Sequence, residues 1–199
     1  MPEDRPSWRQ EQTIALKRAI QSAALRLFTE QGYAATTVGM IAKEVGVAER
    51  TCFRHFATKP DLVLWDGADY DLLARFRNWP ADGGVVTAFR EALSAGYATL
   101  DADQRALETH RNALIATVPE VRAAHLDHFA SAAREFTQAV AERAGRPADD
   151  PDIIAVSGAI IGIMMIHQLD ESVPDAADAD QAARVDAALA RLQAGFGTL

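Results

Sequence analysis

Four polar side chains fall within six residues, Arg50, Thr51, Arg54 and His55. On a short helix, donors at this spacing can reach phosphate oxygens and the edges of bases in a major groove. The interleaved Phe53 and Phe56 offer anchors for such a helix. Catalytic chemistry has less support. The chain contains no Gly-x-Ser-x-Gly elbow, no phosphate-cradling Gly-rich loop and no His-Glu-x2-His motif. His125 and His128 stand three apart, a spacing at which two imidazoles on one helix can share a metal, but the sequence identifies no third ligand. The single cysteine, Cys52, lies near arginines that would favour a thiolate, yet its place between Thr51 and Phe53 fits the inner side of a small bundle. These residues point to a binding protein and not to an enzyme, with no cofactor and no metal expected.

The charge distribution sharpens that reading. The 199-residue chain has a net charge of -8, but residues 5–59 carry nine basic and four acidic side chains, a balance of +5. Residues 60–199 carry 11 basic and 22 acidic ones. Only the first segment has the sign of a phosphate-binding surface. One cysteine excludes an intrachain disulfide and fits a reducing compartment. Met1–Gln12 has no apolar core of a secretory leader, and the most apolar window, Ile153–Ile166, is 14 residues long, against about 20 needed to span a bilayer. A soluble, cytoplasmic protein without a membrane partner is expected.

The elements that must position these groups all read as helices, so an all-α fold of about nine helices is expected. After a flexible segment, residues 1–12, Ile14, Ile20, Ala24, Leu27 and Phe28 give a first helix one apolar face, ending near Gly32. Thr36 and Thr37 are candidate N-caps of a second helix reaching Val45. Gly46 allows a sharp turn, and a third helix follows over 48–56, which makes residues 13–58 a three-helix helix-turn-helix domain. Residues 59–199 form a second, helical domain. A fourth helix opens at Lys59-Pro60-Asp61 and closes before Asn78, and others follow over about 85–100 and 104–118, with Asp101 and Asp103 as candidate caps. Pro119 opens a long helix that stops at Gly145, and Asp150-Pro151 opens another that carries the apolar run to Leu169. Beyond an acidic linker over 170–180, Val185, Leu189, Leu192 and Phe196 form the stripe of a final amphipathic helix.

The run from Thr36 to Lys59, with its Thr-x3-Ile-Ala pair, Gly46-Val47 turn, Thr51 and His55-Phe56-x2-Lys59 ending, resembles the DNA-binding signature of the TetR (tetracycline-repressor) family. Leu27-Phe28 and Gly32-Tyr33 match the end of that family's first helix, and the resemblance covers about residues 13–65. It implies that Thr37 and Lys59 contact phosphates, contacts that position a protein without reading sequence. Three residues depart from the pattern. Phe53 stands where many members have a tyrosine whose hydroxyl can touch phosphate. Gly39 replaces a base-reading side chain, and Ala48 replaces a serine N-cap. The stretch Phe53–Leu62 with Trp65-Asp66 is also similar to actinobacterial regulators related to the mycofactocin-system repressor, which implies an acyl-CoA-like effector.

The family resemblance further implies an effector pocket between helices four and seven. There, Phe76, Trp79, Phe89, Tyr97, His110, Leu114, His125, Phe129 and Phe136 supply candidate apolar faces, suited to an apolar or amphipathic molecule. The helix over Ile153–Ile166 is apolar nearly all round and must be covered on several sides, with Gly158 and Gly162 permitting close approach. Ile154, Gly158, Ile161, Gly162 and Met165, with Val185, Leu189 and Leu192, are expected to pair with their symmetry mates in a homodimer. Two-fold symmetry suits a palindromic operator on double-stranded DNA. The expected function is a ligand-responsive transcriptional repressor. The alternative is a helical small-molecule binding protein or enzyme whose N-terminal bundle is structural.

Overall fold

The first helix, α1, spans Trp8–Gln31 in the computed structural model, which describes residues 8–65, 72–80, 83–169 and 178–195. It starts earlier than the expected flexible segment over 1–12 allowed. Residues 8–12 contain neither Gly nor Pro, and Glu11 complements the positive end of the helix dipole. Three short helices follow: α2 (Val38–Val45), α3 (Glu49–His55) and α4 (Asp61–Leu64). Ile20, Ala24, Leu25 and Phe28 of α1 form a core with Ile41 and Ala42 of α2, Cys52 of α3, Phe56, and Leu62 and Val63 of α4.

The turns are fixed by identifiable atoms. Thr37 Oγ1 accepts a hydrogen bond from Met40 N at 3.2 Å and caps α2. Thr36 is buried instead, its hydroxyl donating to Gly32 O at 2.9 Å, so the two threonines divide the work of entry into α2. Gly46 takes φ +75°, the left-handed conformation that ends α2, and Val47 N donates to Ala42 O at 2.9 Å. Ala48 precedes α3 without a side-chain cap. At α4, Thr58 N donates to Asp61 Oδ2 at 2.8 Å and Pro60 occupies the entry position.

The single fourth helix expected from Lys59 to Asn78 does not form. Backbone at Trp65 is extended, with ψ 117°. Gln21 Nε2 donates to Trp65 O at 2.6 Å, and Lys17 Nζ lies 4.4 Å from the Trp65 ring centroid. These contacts from α1 draw the end of α4 onto the first helix. The chain accordingly divides into compact units Met1–Tyr70 and Asp71–Leu199, later than the expected boundary at 58/59. Interruption at Trp65 also makes ten helices among the described residues, one more than expected.

The second unit contains α5 (Leu72–Asn78), α6 (Gly84–Ala98), α7 (Ala102–Thr117), α8 (Pro119–Ala144), α9 (Pro151–Gln168) and α10 (Asp178–Ala194). Asp101 and Gln104 form a reciprocal capping box on α7, and Gly145 ends α8 in the left-handed region. Phe76 of α5, Phe89 of α6 and Phe136 of α8 meet with centroid separations of 5.1 to 6.0 Å. Arg143 of α8 stacks over Phe76 and donates to the carbonyls of Phe76, Trp79 and Pro80, satisfying acceptors at the C-terminal end of α5. Trp79 Nε1 donates to Glu91 Oε2 of α6 at 2.8 Å.

Helix α10 is bound to α6 by Arg90, whose Nε and Nη2 reach both oxygens of Asp186 at 2.8 and 2.9 Å. Helix α9 turns Ile153, Ser157 and Ile160 inward. It is 18 residues long and, by length and composition, apolar enough to cross a membrane, beyond the 14-residue window read from sequence. Phe196, most of the 170–180 linker, Asp66 and residues 1–7 lie outside the described residues. Because Phe76 is wholly inaccessible and joins three helices, Phe76→Ala is expected to destabilise the protein by about 3–5 kcal/mol. A denaturant titration followed by circular dichroism measures this.

Candidate functional site

Helix α3 is seven residues long and divides its side chains cleanly. Cys52 and, just past its end, Phe56 point into the core, whereas Arg50 and Arg54 are exposed and Thr51 and His55 partly so. Phe53, expected as an anchor, is instead 47% exposed. Thus Phe56 alone anchors the helix through an aromatic ring. Burial pushes the Cys52 thiol upward, as does the Glu49 carboxylate, so it is a poor thiolate. Desolvation holds His55 below its ordinary value, assisted by Arg54 and Lys17, and its Nε2 is buried. The neutral imidazole is favoured there.

The two residues expected at phosphates are both positioned by local contacts. Thr37 is exposed at the start of α2, where its hydroxyl oxygen is committed to Met40 N. Lys59 is half-buried: its ammonium donates to Tyr33 O and lies 4.1 Å from the Tyr33 ring centroid. Gly39 acquires a packing reason. A Cβ there would approach Glu49 Oε2 to 3.2 Å, so glycine lets the α3 carboxylate lie close to the first turn of α2. Lys17 and Gln21, which hold Trp65, escaped sequence reasoning. Their signal was two polar residues one turn apart beside Ile20 on an otherwise apolar stripe.

In the second unit, the candidate effector residues separate. Phe76 and Phe89 are buried with Phe136 in the aromatic cluster. His125 Nε2 lies 3.0 Å from Gln168 Oε1, and its ring is 5.8 Å from that of Phe129. Tyr97 and Leu114 are half-buried, and His110 is exposed on α7. An open groove of about 440 Å³ is lined instead by Val85, Val86, Ala155, Val156, Ala159 and Leu192, with Gly83, Gly84, Thr87, Asp152 and Gln193. Of these, sequence analysis had singled out only Leu192.

The expected dimer residues also divide. Ile154 is 54% exposed and Gly158 is exposed, while Ile161, Gly162 and Met165 are partly so. Val185 and Leu189 are buried within their own unit, Leu189 completely. Their apolar stripe seats α10 within its own unit, a use that periodicity cannot distinguish from a dimer face.

Desolvation is the main cause holding His125 below its ordinary value of 6.5; Arg111 and His128 act in the same direction, against the hydrogen bond to Gln168. In the folded protein the neutral imidazole is therefore favoured. As pH falls through about 6.5, the unfolded chain takes up a proton that the folded chain resists, so stability contributed by neutral His125 is lost toward lower pH. The melting temperature is expected to fall between about pH 7.5 and about pH 5, and His125→Gln is expected to make that fall shallower in calorimetric scans.

Comparison with known proteins follows the same division. Residues 20–64 match the family described as bacterial regulatory proteins, tetR family, and residues 84–197 match the MftR C-terminal domain. The regulator TcmR of Streptomyces glaucescens is 30% identical over 152 residues, 73% of this chain and 67% of TcmR. MftR of Mycobacterium tuberculosis, a regulator named for mycofactocin biosynthesis, is 28% identical over 77% of this chain and 80% of its own. Among solved structures, FadR of Thermus thermophilus in complex with lauroyl-CoA has TM-score 0.53 at 20% identity, covering 92% of this chain and 96% of its own, a likeness in fold. A two-helix turn with outward arginines, a separate helical body and family matches over both parts agree: the chain belongs to the TetR family of bacterial transcriptional regulators, with a C-terminal domain of the MftR type.

Proposed function

We propose that this regulator is a cytoplasmic homodimer that represses transcription from a palindromic DNA operator and leaves it when a small apolar or amphipathic effector occupies the helical body. The observation that carries the reading is the two-sided α3, with Cys52 inside and Arg50 and Arg54 outside, after the left-handed turn at Gly46. Arg50, Thr51, Arg54 and His55 serve as groove and phosphate donors, and Thr37 and Lys59 as phosphate contacts. Release follows if the effector prefers a conformation in which paired α3 helices no longer match successive major grooves. Tyr97, His110, Leu114, His125 and Phe129 are the candidate effector contacts, with Phe76 and Phe89 behind them in the aromatic cluster. The lauroyl-CoA bound to FadR makes an acyl-CoA the first effector class to try. No enzymatic step is assigned.

Two measurements test this. Purified protein is expected to shift a DNA fragment from upstream of its own gene at low salt, with affinity falling steeply as salt rises. Arg54→Ala is expected to weaken binding and reduce the salt slope by about 1. Absence of any shift at low salt overturns the reading, and adding lauroyl-CoA to the shifted complex tests release. For the dimer, the exposed face of α9 supplies the contact. Ile154→Glu is expected to turn a dimer into a monomer in sedimentation, through burial of an unpaired carboxylate; an unchanged dimer places the interface elsewhere.

A further inference from the structure

The exposed surface of α3 carries one residue that a purely electrostatic grip on phosphate does not use. Phe53 is 47% exposed, three residues after Arg50 and directly before Arg54, both of which are exposed. Covering a Phe side chain is favourable only against an apolar surface, and the ring offers no hydrogen bond to a phosphate or to a base amide. Residues 5–59 are net positive and the same short helix exposes Arg50 and Arg54, so the complementary surface is polyanionic with an apolar element set within it. Duplex DNA fits both conditions. On the major-groove edges of its bases, the C5-methyl of thymine is the apolar group.

We propose that Phe53 is a specificity-determining residue that covers the C5-methyl group of a thymine in each half-site. The proposal rests on the DNA-binding reading above and refines it: the arginines hold the helix against the backbone and base edges, while the ring distinguishes thymine from the other bases by excluding water from its methyl group. Phenylalanine suits this task because it is rigid and has no polar group to desolvate. Met40 on α2 is a further apolar group exposed in this unit.

The test uses the full-length protein and the fragment from upstream of its own gene, prepared once with thymine and once with uracil in its place, which removes the methyl groups and leaves base pairing intact. Wild-type protein is expected to bind the thymine fragment more tightly, by about fourfold for each methyl group covered. Phe53→Ala is expected to bind both fragments equally, with the salt slope of the wild type. Phe53→Leu retains a reduced preference and Phe53→Gln none, which keeps the comparison measurable if the alanine variant binds weakly. Equal binding of the two fragments by wild type, or an unchanged preference in Phe53→Ala, overturns the proposal. Failure of wild type to bind either fragment at low salt overturns the DNA-binding reading and this one with it.

Discussion

A seven-residue helix has no stability of its own in water, because nucleation costs more than two turns of hydrogen bonds return. The outward face of α3 therefore exists only because Cys52 and Phe56 are buried at its inner side. Every donor on α3, Arg50, Thr51, Arg54 and His55, depends on those two side chains. They join a core to which α1 contributes Ile20, Ala24, Leu25 and Phe28. Entry and exit of α2 then set where α3 begins. Thr37 closes one end, Gly46 turns the other, and Ala48 leaves α3 without a side-chain cap. The recognition unit is thus small, with named contacts at the entry to and exit from α2.

The helical body is organised differently. Its core is an aromatic cluster joining α5, α6 and α8, and the end of α5 is satisfied from outside by Arg143. Because Arg143 reaches the carbonyls of Phe76, Trp79 and Pro80 and also covers Phe76, one side chain serves both polar satisfaction and packing. The Arg90–Asp186 pair is bidentate, and its geometry fixes the rotation of α10 against α6. Among the described residues, the large apolar side chains that this unit leaves exposed are Ile154 and Ile166 on α9 and Leu126 on α8.

Much of this was legible from residue order. The all-helical class, the turn at Gly46, the cap at Asp101 and the stops at Gly32 and Gly145 follow from local backbone preferences that act over a few residues. The family followed from a motif whose parts occur in one register. What remained hidden depended on contacts between residues far apart in the chain. Trp65 is drawn out of helix by Gln21 and Lys17, 44 residues away for the amide, and no local preference announces it. The Val185–Leu189 stripe read correctly as amphipathic but could not say which surface it would meet. Phe53 looked like an anchor because aromatic residues in short helices usually are; its exposure follows from the register in which Cys52 and Phe56 turn inward.

The placement of the tryptophans has an optical consequence. Trp65 lies beneath the Lys17 ammonium and edge-on to Phe56 at 6.0 Å, in the first unit, whereas Trp79 donates its indole N–H to Glu91 in the second. The two indoles thus experience opposite nearby charges, a cation over one ring and a carboxylate at the nitrogen of the other. Electric fields of opposite sense move indole emission differently, so each half of the protein carries an intrinsic fluorophore with its own spectral environment. Replacing the exposed Trp8 together with either Trp65 or Trp79 leaves one indole, which reports on the helical body or on the recognition unit, with no added label.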